Sequence, residues 1–280
     1  MSRHPAITPG HSAVVTGAAS GIGLAAAKAF AQVGMNVWLA DLPGEALQAA
    51  HAEVAALAAV EVRAVPTDVS DRGAVEALAG AVLRAGPPAI VMLNAGVEAG
   101  GKLFSDAETW ERIIGTNLWG VVNGIRSFAP AMAKSGQPGA VIVTGSKQGI
   151  TTPPGNAPYN VSKAGVKSVT EALAHELRST EGCRTSAHLL IPGFVYTGLT
   201  KARGVAEKPA GAWTPEQTVT FMLERMEQGD FYILCPDNET TRAQDEKRME
   251  WAMGDIIANR PALSRWHPDH AEAFKRFMEG

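Results

Sequence analysis

Residues 12–23 read Ser-Ala-Val-Val-Thr-Gly-Ala-Ala-Ser-Gly-Ile-Gly, an apolar run, a glycine-rich turn and the start of an alanine-rich stretch. A strand that enters a helix through so tight a turn leaves few folds open. The natural continuation is a parallel sheet whose strands are joined by helices. The rest of the chain keeps the same rhythm. Apolar runs at 13–16, 36–40, 60–65, 89–93, 140–144, 186–191 and near 231–234 read as strands, and 21–33, 44–58, 72–84, 106–134, 156–180 and 215–228 as helices. These strands are unbroken apolar runs rather than alternating ones, as expected when both sheet faces carry helices. The expected architecture is α/β: a single-domain, doubly wound parallel sheet of about seven strands, with helices on both faces and a helical C-terminal extension.

Composition supports one folded body. The chain has 280 residues, of which 46% are hydrophobic and 19% charged, and its net charge of −3 shows no basic concentration. A nucleic-acid binder would carry such a concentration, so nucleic acid is not an expected partner. Two cysteines, Cys183 and Cys235, give no disulfide framework, so a reduced, cytoplasmic setting is expected, with both thiols inert. Residues 1–11 lack the apolar core of a signal peptide, and no stretch is long and apolar enough for a membrane span. The rhythm breaks twice. Residues 194–215 read as a substrate loop, rich in glycine and proline towards its end. Past residue 236, eight of the fifteen residues from 237 to 251 are charged, after which Met249, Ala252, Met253, Ile256 and Ile257 recur at helical spacing before Pro261. That stripe reads as core or subunit interface, and Phe274, Phe277 and Met278 suggest a last helix. The expected division is 1–236 as the catalytic body, with 237–280 as its helical extension.

The glycine turn places backbone N–H groups and a helix N-terminus where a diphosphate would lie. Gly17, Gly21 and Gly23 keep side chains out of the way, and Ser20 and Ile22 complete the turn. Asp41, just past the second strand, stands where a carboxylate would accept hydrogen bonds from the adenosine ribose and repel a 2′-phosphate. No arginine or lysine lies in the turn or beside Asp41, which favours NAD over NADP. Asp68 and Val69 follow the third strand, where Asp68 reads either as an adenine contact or as a helix cap. The fifth strand ends in Ser146, at the sheet edge where doubly wound folds bind ligands. Tyr159 and Lys163 share one helical face, and an ammonium near a phenol favours the phenolate. A Tyr and a Lys four apart occur by chance on many helices; their conjunction with the glycine turn and Ser146 gives them a catalytic reading. No metal site is expected: His267 and His270 lack the spacing of common zinc ligands.

With these motifs in order, residues 12–234 resemble the short-chain dehydrogenase/reductase family of NAD(P)-dependent, Rossmann-fold oxidoreductases. The pieces are the glycine turn, Asp68-Val69, Asn94-Ala95-Gly96, Asn117, Ser146, Tyr159 with Lys163, and Pro192-Gly193 with Thr197. The resemblance implies that Tyr159 is the acid/base, that Lys163 binds the nicotinamide ribose and lowers the Tyr159 pKa, and that Ser146 bonds the substrate oxygen. It further implies that Asn117 holds a relay water, that Asn94, Ala95 and Gly96 brace the sheet beside the cofactor, and that Pro192, Gly193, Val195 and Thr197 shape the nicotinamide pocket. A homotetramer or homodimer is implied as well. Two departures are Leu93, where a second Asn is common, and Gly145, where another Ser is common. Lys147 after Ser146 is left facing either substrate or solvent.

The expected activity is hydride transfer between NAD and a small secondary alcohol or its ketone. The alternatives are an NAD-recycling dehydratase or epimerase, and a non-catalytic NAD-responsive protein. The substrate pocket should draw on 97–103, 148–156 and 194–213, where Ile150, Pro153, Pro154, Phe194 and Trp213 suggest an apolar or aromatic ligand. Trp119 reads as a helix-packing ring, and His175 as a surface or packing residue.

Overall fold

The computed structural model describes residues 4–98, 100–198, 204 and 207–280. Part of the expected substrate loop, 199–203 with 205 and 206, lies outside the described residues. Seven parallel strands stand in the order β3-β2-β1-β4-β5-β6-β7 among the described residues. They are β1 (Ser12–Thr16), β2 (Asn36–Asp41), β3 (Val62–Pro66), β4 (Ile90–Leu93), β5 (Gly139–Thr144), β6 (Thr185–Ile191) and β7 (Tyr232–Leu234). The order reverses between β1 and β4, and their carboxyl ends frame a crevice there.

Neighbouring residues on each strand serve opposite faces, which explains the unbroken apolar runs. Ala13, Val15, Leu39, Met92 and Ile142 point to one side, where α1 (Gly21–Gln32), α2 (Glu45–Ala55) and α8 (Pro215–Glu227) supply Phe30, Leu47 and Met222. Val14, Trp38, Val91 and Val143 point to the other. There α3 (Arg72–Leu83), α5 (Gly120–Lys134) and α7 (Ala157–Ser179) supply Leu78, Phe128 and Val166. Leu93, the first departure, belongs to this second core; a Cβ on Gly124 of α5 would come 2.3 Å from its Cδ2, so the helix and sheet touch backbone to side chain. The strand β3 is an edge, largely exposed, and it ends on Pro66, which an edge tolerates.

The stretch expected as one helix over 106–134 is broken. A helix α4 (Ala107–Ile114) passes through a π-turn at Gly115–Trp119 into α5. Asn117 sits in this widened turn, with its buried side chain bonded to Val97 and Ser162. Sequence periodicity does not reveal such a bulge. Trp119, on this turn, is 54% exposed rather than packed between helices, and His175 is also exposed.

In the C-terminal region, α9 (Arg242–Ile257) is opened by a capping box between Thr241 and Gln244 and packs on the short α6 (Gln148–Thr151). Of the two readings of its stripe, core or subunit interface, the core holds Met249 but not the rest. Met253, Ile256 and Ile257 are 58, 77 and 80% exposed, while Asp245 and Trp251 face inward and Met249 meets the second core. Trp251 lies under Phe274 and Phe277 of α10 (Ala271–Glu279), at ring separations of 5.3 and 5.2 Å, and Arg260 covers its other face at 4.0 Å. The helix ends at Ile257, before Pro261, and Asn259 and Leu263 take left-handed φ of 49° and 58° to turn the chain back. Among the described residues no helix is long and apolar enough to cross a membrane.

Candidate active site

The glycine turn joins β1 to α1 under the crevice. Gly17 and Gly21 have φ of 65° and 54°, which glycine adopts without strain. The close approaches are as strict as the dihedrals. A Cβ on Gly17 would sit 2.7 Å from Ala95 Cα, and one on Gly23 would sit 2.1 Å from the Gly17 carbonyl oxygen. Ser20 caps α1 without a side-chain hydrogen bond, and Ser20, Gly21 and Ile22 at this helix start line the crevice. Asp41 is held beside the turn: Oδ2 accepts the Ala19 N–H and Oδ1 the Leu42 N–H, each at 2.8 Å. Asp68 accepts from the Ser70 N–H and hydroxyl at 2.9 and 2.7 Å while lining the crevice, so it is both turn-former and wall. Val69 packs beneath Gly120.

Asn94 binds the parts together. Its Nδ2 donates to the Thr16 and Gly17 carbonyls at 3.3 Å, and its Oδ1 accepts from the Thr144 hydroxyl at 3.0 Å, which ties β1, β4 and β5 at one end. Thr16 Oγ1 in turn accepts the N–H groups of Asn94 and Ala95. Gly96 lies where a Cβ would come 3.4 Å from Asn117 Oδ1 and 3.7 Å from Lys163 Nζ.

Ser146, Tyr159 and Lys163 converge on the crevice, as the sequence suggested. Lys163 Nζ donates to the Thr144 carbonyl at 2.8 Å and stands 5.7 Å from the centre of the Tyr159 ring. The Ser146 hydroxyl is the neighbour that favours the ionised form of the Tyr159 phenol. Burial pushes the Lys163 pKa down to about 8. Tyr159 departs from expectation: in the chain alone burial holds its phenol above the ordinary tyrosine value, and the Ser146 hydrogen bond pulls it back only in part. The fixed positive charge of an oxidised nicotinamide is the kind of neighbour that would reverse that shift. With three tyrosines in the chain, the difference between wild-type and Tyr159→Phe phenolate absorbance isolates this group. It should ionise above the ordinary value in the free protein and at a lower pH once NAD+ is added. Ionisation at a normal pH without cofactor would contradict this.

Asn117 is fully buried. Its Oδ1 accepts the Val97 N–H at 2.7 Å, and its Nδ2 donates to the Val97 carbonyl at 2.9 Å and to Ser162 Oγ at 3.1 Å. The side chain is thus spent on bracing the loop after β4. Pro192, Gly193, Val195 and Thr197 all line the crevice, and Thr197 lies over the glycine turn, within 3.3 Å of where a Gly21 Cβ would be.

The crevice has a volume of about 770 Å³ and runs from Asp41 and Asp68 to Ser146 and Phe194. Of the five residues expected to make an apolar pocket, Phe194 alone lines it. Trp213 packs on Phe221 at 5.7 Å and exchanges backbone hydrogen bonds with Phe194 and Tyr196, Ile150 joins the second core, and Pro153 and Pro154 lie outside the wall. Glu98, Lys147, Gln148, Arg112 and Thr116 line it instead. Glu98 accepts from Asn156 Nδ2 at 2.6 Å. Reading β-strand ends and glycines could not find Arg112 or Thr116, because the π-turn sets their approach. Lys147 lines the crevice wall while its ammonium meets Asp237 and Asp245 of the C-terminal region rather than bulk solvent. His267 Nδ1 accepts the Asp269 N–H at 3.2 Å, capping a turn. Cys235 is a buried free thiol whose pKa burial pushes up to about 12.

The short chain dehydrogenase family model matches residues 11–208. The chain belongs to the short-chain dehydrogenase/reductase family. It is 33% identical over 263 residues to the 1-deoxy-11-beta-hydroxypentalenate dehydrogenase of Streptomyces exfoliatus, covering 91% of this chain and 94% of that protein. It is 36% identical over 194 residues to the L-tagatose-forming galactitol 2-dehydrogenase of Cereibacter sphaeroides, covering 68% of this chain and 74% of that one. Among solved family structures, a Burkholderia phymatum short chain dehydrogenase/reductase in complex with NAD is 34% identical with a TM-score of 0.82, over 93% of this chain and 98% of that chain. A metagenomic short-chain oxidoreductase in complex with NADP is 28% identical with a TM-score of 0.70, over 82% and 98%. As a member of this family the chain is an oxidoreductase of small-molecule alcohols and carbonyl compounds, with a dinucleotide for its cofactor.

Proposed function

We propose that the chain is an NAD-dependent dehydrogenase that oxidises a secondary alcohol, or reduces the matching ketone, in the cytoplasm. The observation that carries the reading is the convergence of Ser146, Tyr159 and Lys163 at one end of a crevice whose other end holds a glycine turn and Asp41. The residues fit a dinucleotide: Gly17 and Gly23 leave a trough that a Cβ would fill, and α1 points its free amides into it. Bound nicotinamide would supply the hydride acceptor. Gly17, Ser20, Gly21, Ile22 and Gly23 would hold the diphosphate, Asp41 the adenosine ribose, Asp68 and Val69 the adenine, and Asn94, Ala95 and Gly96 the middle of the cofactor. Pro192, Gly193, Val195 and Thr197 would enclose its far end.

Tyr159 takes the hydroxyl proton of the alcohol, and Ser146 holds the same oxygen by donating its own proton to it. Lys163, buried and fixed by the Thr144 carbonyl, provides the nearby positive charge that favours the phenolate. Asn117 acts through Val97, keeping the loop after β4 in place with both amide donors and one acceptor position in use. The substrate end mixes Phe194 and Val97 with Glu98 and Gln148, so the proposed substrate carries a polar group besides the reacting hydroxyl and is not wholly apolar. The names of the relatives, dehydrogenases of a hydroxypentalenate and of galactitol, are consistent with such a compound. A homodimer or homotetramer is the proposed assembly; Trp119 and Val161, both exposed, are apolar groups it would cover.

Parallel assays of an alcohol panel with NAD and NADP test the reading. Accumulation of NADH in proportion to alcohol consumed separates it from internal NAD recycling, and binding without turnover would favour a sensor. NAD is the preferred cofactor, because Asp41 presents a carboxylate that two backbone amides keep aimed at the turn. Asp41→Ala should cut kcat/KM with NAD roughly 10- to 100-fold, the worth of a charge-assisted hydrogen bond of about 1.5–3 kcal/mol, and leave NADP unharmed or improved. A wild-type preference for NADP would overturn the role of Asp41.

A further inference from the structure

The catalytic end of the crevice and the charged C-terminal region meet at one ion cluster. Lys147 follows Ser146 directly and is the residue from which α6 starts. Its Nζ lies 2.5 Å from Asp245 Oδ2 and 3.5 Å from Asp237 Oδ2, and the two acid side chains are only 4 and 8% exposed. Asp237 reaches further. Its Oδ2 accepts the Phe194 N–H at 3.1 Å, and its Oδ1 accepts those of Glu239 and Thr240 at 3.0 and 2.7 Å. Arg248 stands 3.7 Å from the other oxygen of Asp245, and Arg265 is the further cation near that carboxylate. Gly193 is part of the same contact. A Cβ there would come 2.7 Å from Asp237 Oδ2 and 3.0 Å from Lys147 Nζ, so the wall closes over the pair only because residue 193 has no side chain.

Resting on the reading of the crevice as a dehydrogenase site, we propose that Lys147 is a positioning residue. With Asp237 and Asp245 it latches the C-terminal helix to both walls of the substrate end, fixing Ser146 on one side and Gly193-Phe194 on the other. An exposed lysine–carboxylate pair would hold little. Here the acids are buried, so removing the ammonium takes away the cation they share and leaves two carboxylates facing each other, which Arg248 and Arg265 beside Asp245 offset only in part, and the segments that carry them are driven apart. Ser146 and Phe194 move with those segments. The glycine turn and Asp41 do not, because they sit on β1 and β2 at the other end of the crevice. The latch therefore acts on the substrate and not on the adenosine half of the cofactor.

The test uses full-length Lys147→Met, Lys147→Arg and the double variant Lys147→Met with Asp245→Asn, which removes one acid charge together with the lysine and protects against misfolding. For Lys147→Met and the double variant, kcat/KM for the alcohol should fall roughly 10- to 100-fold, the scale set by a displacement near one ångström at a reacting group. NADH affinity, read by fluorescence, should fall far less than kcat/KM, because the adenosine half of the cofactor keeps its contacts, and Lys147→Arg should recover most of the loss. Amide hydrogen exchange gives an arm that needs no turnover: 193–195 and 237–248 should lose protection together in Lys147→Met and keep it in Lys147→Arg. Tyr159→Phe, the control for the catalytic reading, should leave that exchange unchanged. Wild-type kcat/KM in the double variant, an equal loss in NADH affinity, or unchanged exchange at 193–195 in Lys147→Met would each overturn the latch. A wild-type protein that turns over no alcohol, yet shows the coupled exchange, would keep the latch and reject the dehydrogenase reading.

Discussion

Tyr159→Phe is expected to lower turnover of a secondary alcohol by roughly 10²- to 10⁴-fold, the contribution of a well-placed general acid/base, while NADH binds as in the wild type. The substitution removes one oxygen from a ring that otherwise keeps its place, since α7 fixes the ring and Lys163 remains bonded to Thr144. The loss should fall mainly on kcat, because a proton transfer in the transition state is what disappears. Steady-state kinetics beside NADH titration by fluorescence separate the two. Turnover near the wild-type level would remove Tyr159 from the mechanism, and a matching loss of NADH affinity would show that the change had disturbed the crevice instead.

Gly23→Ala should be nearly as damaging by a different route. The added Cβ would lie 2.1 Å from the Gly17 carbonyl oxygen and 2.7 Å from Asn94 Nδ2. The first obstacle is backbone, so no side chain can swing aside, and the turn itself must open. Overpacking of this kind costs about 3 kcal/mol at the upper end of its usual range, and the distorted turn no longer aims its amides at a diphosphate. A lowered melting temperature with loss of NADH binding is the expected pair of results. Gly80→Ala is the matched control. It sits inside α3, its nearest outside atom would be Arg84 Nη1 at 3.8 Å, and removing a helix-interior glycine should stabilise by roughly 0.5–1 kcal/mol. If both variants behaved alike, the close approach at Gly23 would not be what constrains the turn.

Much of the sheet could be read from the chain, because parallel strands buried on both faces are continuous apolar runs, and glycines and acids mark their ends. That is why β1 with its turn, Asp41, Ser146 and the Tyr159–Lys163 face could be placed before any coordinates. What escaped the sequence was everything set by contacts between distant segments. The π-turn carries Asn117 to Val97 and Ser162, partners far off in the chain of which residue spacing carries no trace. The orientation of α9 is likewise set at a distance: Met253, Ile256 and Ile257 lie outside, whereas an acid, Asp245, is buried by pairing with Lys147. Trp213 suggests an aromatic ligand by its place near a loop, but its ring packs on Phe221. The Tyr159 pKa follows the same pattern: a lysine four residues away argues for lowering, and only the folded surroundings show that burial raises it in the chain alone.

The most direct measurement is a crystal structure of the full-length protein with NAD+. The nicotinamide should lie against Pro192 and Gly193, with its reactive edge facing Tyr159 and Ser146 across a space that admits one carbon centre. A cofactor seated with its nicotinamide away from Tyr159, or with its adenine half at Ser146, would contradict the mechanism at its root.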